Sequence, residues 1–284
     1  MRRTNADIRC HDLCVITVAA CQVPVDIDDP EKTRRIVAES VTEAARRGAR
    51  LVVLPELVLC GSLFVDAAEA TARAEALDGE SVRFLQELSR DLGLVLVAGF
   101  CEVSGLTKPY NSAVVLDRGE LLAVYRKTHL WDFERELFTP GPVLPPVVPT
   151  SVGTVAPLIC YDLAFPEVLR SVALRGAQLV ASPANWPDST SPATRPPEVS
   201  KAMASAATNR VVVVVADRVG PERGCRWVGG SVVVDHEGYR VAGPDFGIET
   251  VLVADVDLEA TLDKRLGGRN HAFDDRRLDL YASC

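Results

Sequence analysis

The chain has 284 residues, 48% of them hydrophobic, enough for one large core, and no linker-like stretch divides it. A net charge of −8 without any Lys/Arg cluster argues against a nucleic-acid surface. No apolar run reaches the roughly 18 residues of a membrane span, and no apolar stretch follows Arg2 and Arg3 as it would in a secretory signal.

The eight cysteines are scattered, which reads as the reduced thiols of a cytoplasmic protein rather than a disulfide framework. Cys10-His11-x-x-Cys14 lacks a second ligand pair, so no metal is expected. Residues 1–12 read as a flexible leader, 13–266 as one domain, and 267–284 as a polar tail.

In chain order, Leu13–Cys21 reads as a buried strand. Asp29-Pro30 is a cap followed by proline at the first helical position, and Val37, Val41 and Ala44 share one face of the helix that Gly48 ends. Leu51–Leu54 is a short buried strand running into Pro55-Glu56. A helix over Ser81–Asp91 and a strand over Leu94–Phe100 follow. Asn111–Leu116 and Leu121–Arg126 form a hairpin across Asp117-Arg118-Gly119, ending at Lys127. The Pro-rich segment Pro140–Pro149 is expected to be loop throughout.

Val155–Ile159 then leads to Cys160, a short polar turn (Tyr161, Asp162) and a helix opened by Pro166 and stopped by Gly176. This places Cys160 at a strand-to-helix elbow, where free backbone N–H groups are expected to favour its thiolate. Leu179–Ser182 is a strand, Pro183–Pro187 and 188–197 are loops, Glu198–Thr208 is a helix and Val211–Ala216 a strand. Ser231–Asp235 and Thr250–Val256 are further strands. The alternation, a hairpin and the alternation again indicate an α/β domain with two sheets and outer helices.

Glu56, Lys127 and Cys160 each follow a predicted strand, where α/β proteins build their ligand sites. A charge fused to a buried strand end is partly desolvated, so its placement needs a reason. Three such residues, one a potential nucleophile, favour catalysis over structure. Glu56 can take the thiol proton, while Lys127 and the Tyr161 N–H can hold a developing oxyanion. His129, two residues after Lys127, is expected to brace it.

P-E-L (55–57), Y-R-K-T-H-L-W (125–131) and L-I-C-Y-D-L-A-F-P-E (158–167) resemble, in order and spacing, the three signature blocks of the nitrilase superfamily, the carbon–nitrogen hydrolases. The resemblance runs from about Leu13 to Val256. It implies a four-layer α-β-β-α sandwich, a homodimer or higher homo-oligomer, no cofactor, and a Glu-Lys-Cys triad carried by Glu56, Lys127 and Cys160. The block E-R-E-L-F-T-P-G implies a second glutamate, Glu134, with Glu136 as runner-up. Asn185-Trp186-Pro187 resembles the loop that lines the substrate pocket, with Tyr161 beside it.

The expected substrate is a small carboxamide, cleaved through a thioester with release of ammonia. N-carbamoyl compounds, ω-amides, nitriles and acyl transfer to an amine are the alternatives. Tyr161-Asp162, where nitrilases carry Trp-Glu, favours amides. Ala164 stands where relatives acting on acidic substrates carry Arg, which predicts a preference for neutral amides unless Arg195 or Arg210 supplies the charge. Where the family reads A-R-A-x-E-N, A-S-A-A-T-N keeps only Asn209. Phe273 and Tyr281 are expected to carry the tail to a partner subunit.

Overall fold

The computed structural model describes residues 15–187 and 196–281. The leader, Leu13 and Cys14 of the first expected strand, residues 188–195 of the Pro- and Ser-rich loop, and 282–284 lie outside the described residues. The first half comprises β1 (Val15–Gln22), α1 (Pro30–Arg46), β2 (Leu51–Val53), α2 (Ala67–Ala72), α3 (Glu80–Asp91), β3 (Val95–Glu102), β4 (Tyr110–Asp117), β5 (Glu120–Arg126) and the short α4 (Glu134–Leu137). The second comprises β6 (Val148–Thr150), β7 (Gly153–Pro157), α5 (Pro166–Leu174), β8 (Leu179–Ala184), α6 (Pro197–Asn209) and β9 (Val212–Asp217). The hairpin β10 (Val219–Glu222) and β11 (Cys225–Val228), β12 (Val232–Val234), β13 (Arg240–Ala242), β14 (Thr250–Asp257) and α7 (Leu278–Tyr281) complete the chain.

Two six-stranded sheets result, ordered β14-β1-β2-β3-β4-β5 and β13-β12-β9-β8-β7-β6. In each, three central parallel strands (β1, β2, β3 and β7, β8, β9) are flanked by antiparallel ones. Strand alternation sorts the apolar residues into layers. Val18, Ala20, Leu51, Val53, Val95 and Val97 of one sheet face Val155, Leu179, Ala181, Val212 and Val214 of the other. The intervening residues face outward. Ala19, Val52, Leu96 and Ala98 pack under Val37, Val41 and Ala44 of α1 and Val82 and Leu85 of α3. Ala156, Val180, Val213 and Val215 pack under Val168, Leu169 and Val172 of α5 and Val199, Ala202 and Ala206 of α6. The four-layer α-β-β-α order follows.

Local signals hold where expected. Asp29 caps α1 by accepting from Lys32 N at 3.0 Å. Arg118 and Gly119 both take positive φ (50° and 86°) in the two-residue β4–β5 turn, as a primed hairpin turn requires.

Proline misled the reading twice. Val148–Thr150 is a strand, not loop, because it pairs as an edge with β7, where an edge strand tolerates a missing N–H. Pro183 lies inside β8 rather than in a loop. Pairing with β7 stops at Ala181, so at Pro183 β8 pairs in register with β9 alone.

The tail folds back on its own chain. Phe273 packs on the α5–α6 layer, with the Arg170 guanidinium 5.1 Å and Lys264 Nζ 5.2 Å from its ring centre. Leu278, Leu280 and Tyr281 on α7 are exposed.

Candidate active site

Beyond Val53, the chain stays strapped to β3: Leu54 N donates to Val97 O (2.8 Å), Gly99 N to Pro55 O and Val58 N to Gly99 O (3.2 Å each). The approach is so close that a Cβ on Gly99 would stand 2.5 Å from Leu57 N and 2.7 Å from Glu56 Cα, so only glycine fits. Glu56 is thereby fixed with 2% exposure.

Lys127, after β5, is 1% exposed. Its backbone N–H donates to Asn111 O and its carbonyl accepts from Gly141 N, both at 2.8 Å. Its Nζ lies 2.7 Å from Glu56 Oε1 and 2.8 and 2.7 Å from Glu134 Oε1 and Oε2. Asn111 Nδ2 bridges the same carboxylates, donating to Glu56 Oε1 (2.7 Å) and Glu134 Oε1 (3.0 Å). Trp131 N donates to Glu134 Oε2 at 2.7 Å. Of the two sequence candidates, Glu134 joins the cluster and Glu136 faces outward, exposed.

Cys160 sits at an elbow with φ of 46°, uncommon for a residue with a side chain, and opens a 3₁₀ turn over Cys160–Ala164. Asp162, fully buried, holds that turn. It accepts from Ile159 N (3.0 Å), Tyr125 OH (2.8 Å), Thr128 Oγ1 (3.2 Å) and His129 N (3.3 Å), and pairs with His129 Nδ1 (2.8 Å). The nucleophile's turn is thus tied to the segment just after Lys127. His129, stacked on Phe165 with ring centres 3.8 Å apart, braces Asp162 and the elbow. It does not brace Lys127, because both neighbours of the Lys127 ammonium are carboxylates.

The cavity has two lobes that share Trp131, Cys160, Asn185 and Pro187. One, of about 200 Å³, holds Glu56, Lys127 and Glu134 with Phe133, Leu137, Phe138 and Trp227. The other, of about 250 Å³, is walled by Tyr161, Leu163, Ala164, Trp186 and Val228 and rimmed by Pro196, Pro197, Glu198 and Lys201. Tyr161 meets Trp131 edge-on at 4.8 Å.

Asn185 O is 3.8 Å from Cys160 Sγ, while the Asn185 side chain, 7% exposed, has no partner for Oδ1 or Nδ2 among the described residues. Trp186 is held by its N–H to Asp217 Oδ1, and Asp217 Oδ2 accepts from Gly230 N, both at 2.8 Å. Burial pushes the Asp217 carboxyl up to about 8. The wall near Trp227 rests on a buried ion pair. Arg218 bonds Glu222 at 3.0 and 3.1 Å and lies over the Trp227 ring, while Glu222 accepts from Leu63 N.

Electrostatics set the resting state. Burial pushes Glu56 up to about 7, with Lys127 opposing and Glu134 adding to the rise. Burial works against the Lys127 charge, but Glu134 and Glu56 hold it well above the ordinary lysine range. Burial, then Glu56, pushes the Cys160 thiol well above its usual range, and Lys127 only partly offsets this. The resting group is therefore a thiol, contrary to the thiolate expected from the elbow's N–H groups: desolvation outweighs them. A carboxylate near 7 is matched to taking that proton at neutral pH.

Sequence reasoning missed Asn111 and Asp217, and read Asp162 only as a mark of the amide branch, not as the residue that ties the elbow down. Arg195 lies outside the described residues, and Arg210 points to Asp263 O (2.6 Å) and lines neither lobe. Cys10 and Cys14 also lie outside the described residues. No helix among those described is long and apolar enough to cross a membrane.

A cysteine on a strand-end elbow, facing a buried lysine held between carboxylates in a four-layer sandwich, defines a hydrolase class that works through a cysteine nucleophile. The chain belongs to the carbon–nitrogen hydrolase family, whose profile matches residues 17–265, and stands on the amidase-like branch of the nitrilase superfamily. It is 35% identical to a nitrilase of Pyrococcus abyssi, over 94% of this chain and 99% of the relative. It is 34% identical to the human deaminated glutathione amidase, over 94% of this chain and 84% of the relative. Among solved structures it resembles a mutant of the Nesterenkonia sp. AN1 amidase showing covalent addition of the acetamide moiety of fluoroacetamide at the active site cysteine. That likeness has a TM-score of 0.77 at 28% identity, over 94% of this chain and 96% of that one.

Proposed function

We propose that the enzyme hydrolyses a small carboxamide through a thioester on Cys160, releasing ammonia and a carboxylate. Glu56 takes the Sγ proton as sulfur attacks the carbonyl carbon. The oxyanion is met by Lys127 Nζ and the Tyr161 N–H. Glu56 returns its proton to the leaving nitrogen, ammonia departs and the thioester remains. Glu56 then takes a proton from water, whose oxygen attacks the acyl carbon, and the carboxylate leaves as Sγ recovers its hydrogen. Glu134 and Asn111 hold Lys127 and Glu56 in place, and Glu134 accepts from the substrate amide. Asn185 and Trp186 line the path of the acyl group.

The observation that carries this reading is Lys127 Nζ at 2.7 Å from both carboxylates, in the cavity that also opens on Cys160. Two carboxylates suit an amide, which has N–H to give, better than a nitrile, which has none. The Pyrococcus relative's name keeps nitrile hydrolysis as the second reading. Assay of ammonia from matched amides, N-carbamoyl compounds and nitriles, with product analysis in added amine, decides among hydrolysis of each and acyl transfer. Amide turnover leading is the expected result; nitrile turnover leading would overturn it. The family resemblance also implies a homodimer, the scattered cysteines suit a cytoplasmic protein, and the exposed Tyr281 is the tail contact still free to reach a partner. Light scattering showing a strict monomer at micromolar concentration would contradict the dimer.

A further inference from the structure

The reacting carbon of any substrate must lie over Cys160, where the lobes meet. The lobe with Glu56, Lys127 and Glu134 holds the groups that move protons, so the leaving nitrogen points there. The rest of the substrate has the other lobe. Its walls (Leu163, Ala164, Trp186, Val228) are apolar, but its rim is the start of α6 with Lys201 and Glu198. Lys201 Nζ stands 3.6 Å from Glu198 Oε1, beyond hydrogen-bond distance, and the two side chains are 42% and 32% exposed. The positive end of a 13-residue helix, α6, opens onto the same rim. Asn185, nine-tenths buried with both amide atoms unpartnered among the described residues, stands at the junction and offers a donor and an acceptor to whatever enters.

Resting on the amidase reading, we propose that the preferred substrate is an ω-amide whose far end is a carboxylate received by Lys201 at the start of α6. Ala164 puts no cation on its own part of this lobe, but Lys201 brings one to the same lobe, so the neutral-amide expectation is reversed. A methyl-ended arm would meet this rim and return nothing for the water it displaces; a carboxylate pairs with it. Each half-exposed contribution, the lysine and the helix end, is worth no more than about fivefold, so together they give a preference of about tenfold. Glu198 opposes it.

The test is kcat/KM for three amides of matched length: succinamate, butyramide and β-alaninamide, which end in carboxylate, methyl and ammonium. Wild type is expected to favour succinamate over butyramide about tenfold at low salt, and the ratio should shrink as ionic strength rises. Lys201→Met should lower that ratio about fivefold, chiefly through KM, because the contact is the same in ground and transition states. Glu198→Gln should raise it. A ratio near one in wild type, a ratio indifferent to Lys201→Met, or β-alaninamide in the lead would overturn the carboxylate assignment while leaving the amidase reading intact. Failure to turn over any of the three would overturn both.

Discussion

The two halves of the site are finished differently. From the first half of the chain come Glu56, Lys127 and Glu134, whose charges pair with one another, and Asn111, whose amide bridges the two carboxylates. From the second come Cys160 and Asn185, where Sγ has a carbonyl at 3.8 Å as its hydrogen-bond partner and the Asn185 amide bonds nothing among the described residues. Buried charge demands an internal partner, so the first half is fixed before substrate arrives. The second half can leave neutral polar atoms for substrate to meet. The difference predicts that first-half substitutions cost stability as well as rate, and that second-half substitutions cost rate or affinity alone.

The largest effect on rate should come from the second half. Cys160→Ala should reduce amide turnover by at least about 10⁴-fold, the scale of removing a nucleophile, with little change in melting temperature. Residual turnover within tenfold of wild type would break the comparison.

Lys127→Met should lower kcat by about 10²- to 10³-fold and also destabilise the fold by about 3–5 kcal/mol, since it strands the buried Glu56 carboxylate and the part-buried Glu134. The sign of its pH dependence is fixed. Without the cation, the folded state holds on Glu56 a proton that the unfolded chain releases, so stability should fall as pH rises from 5 to 8. Thermal melts across that range check it.

Glu56→Gln should cost about 10²- to 10⁴-fold in kcat. The base works only when ionised and its carboxyl sits at about 7, so wild-type kcat/KM should fall as pH drops through about 7. That acid limb should vanish in Glu56→Gln, and its persistence would assign it to another group.

Asn185→Ala should give the smallest effect, a rise in KM of about tenfold with no loss of stability, because an unpartnered buried amide is removed. Asn111→Ala, in the first half, should instead cost about 1–3 kcal/mol. Equal destabilisation by the two would erase the distinction between halves.

The same contrast explains what the sequence disclosed. Strand alternation and caps are local, so the layers and the strand-end positions of Glu56, Lys127 and Cys160 could be read directly. Asn111 reaches Glu56 only because β3 pairs with β4, and Asp162 meets Tyr125 and His129 only because the two sheets face each other. No local pattern carries those contacts. No element was expected between Ala216 and Ser231, where Gly220, Pro221 and Gly224 interrupt any strand pattern, so the β10–β11 hairpin and Trp227 in the cavity were not foreseen. Lys201 has no local signal beyond its place on an expected helix, and only the packing of α6 beside Cys160 brings it to a pocket. The thiol state of Cys160 was misjudged for a related reason: burial depends on the whole fold, whereas the elbow is visible in a few residues.

On this reading the charged half drives transfer of the substrate acyl group to the cysteine of the other half. Acid-quenched intact and peptide mass spectrometry during turnover of a slow amide tests it most directly. The account predicts one acyl group on the Cys160 peptide, formed with one equivalent of ammonia and lost in Lys127→Met. Ammonia release with no adduct at any time, or an adduct on Cys225, which also lines the cavity, would contradict it.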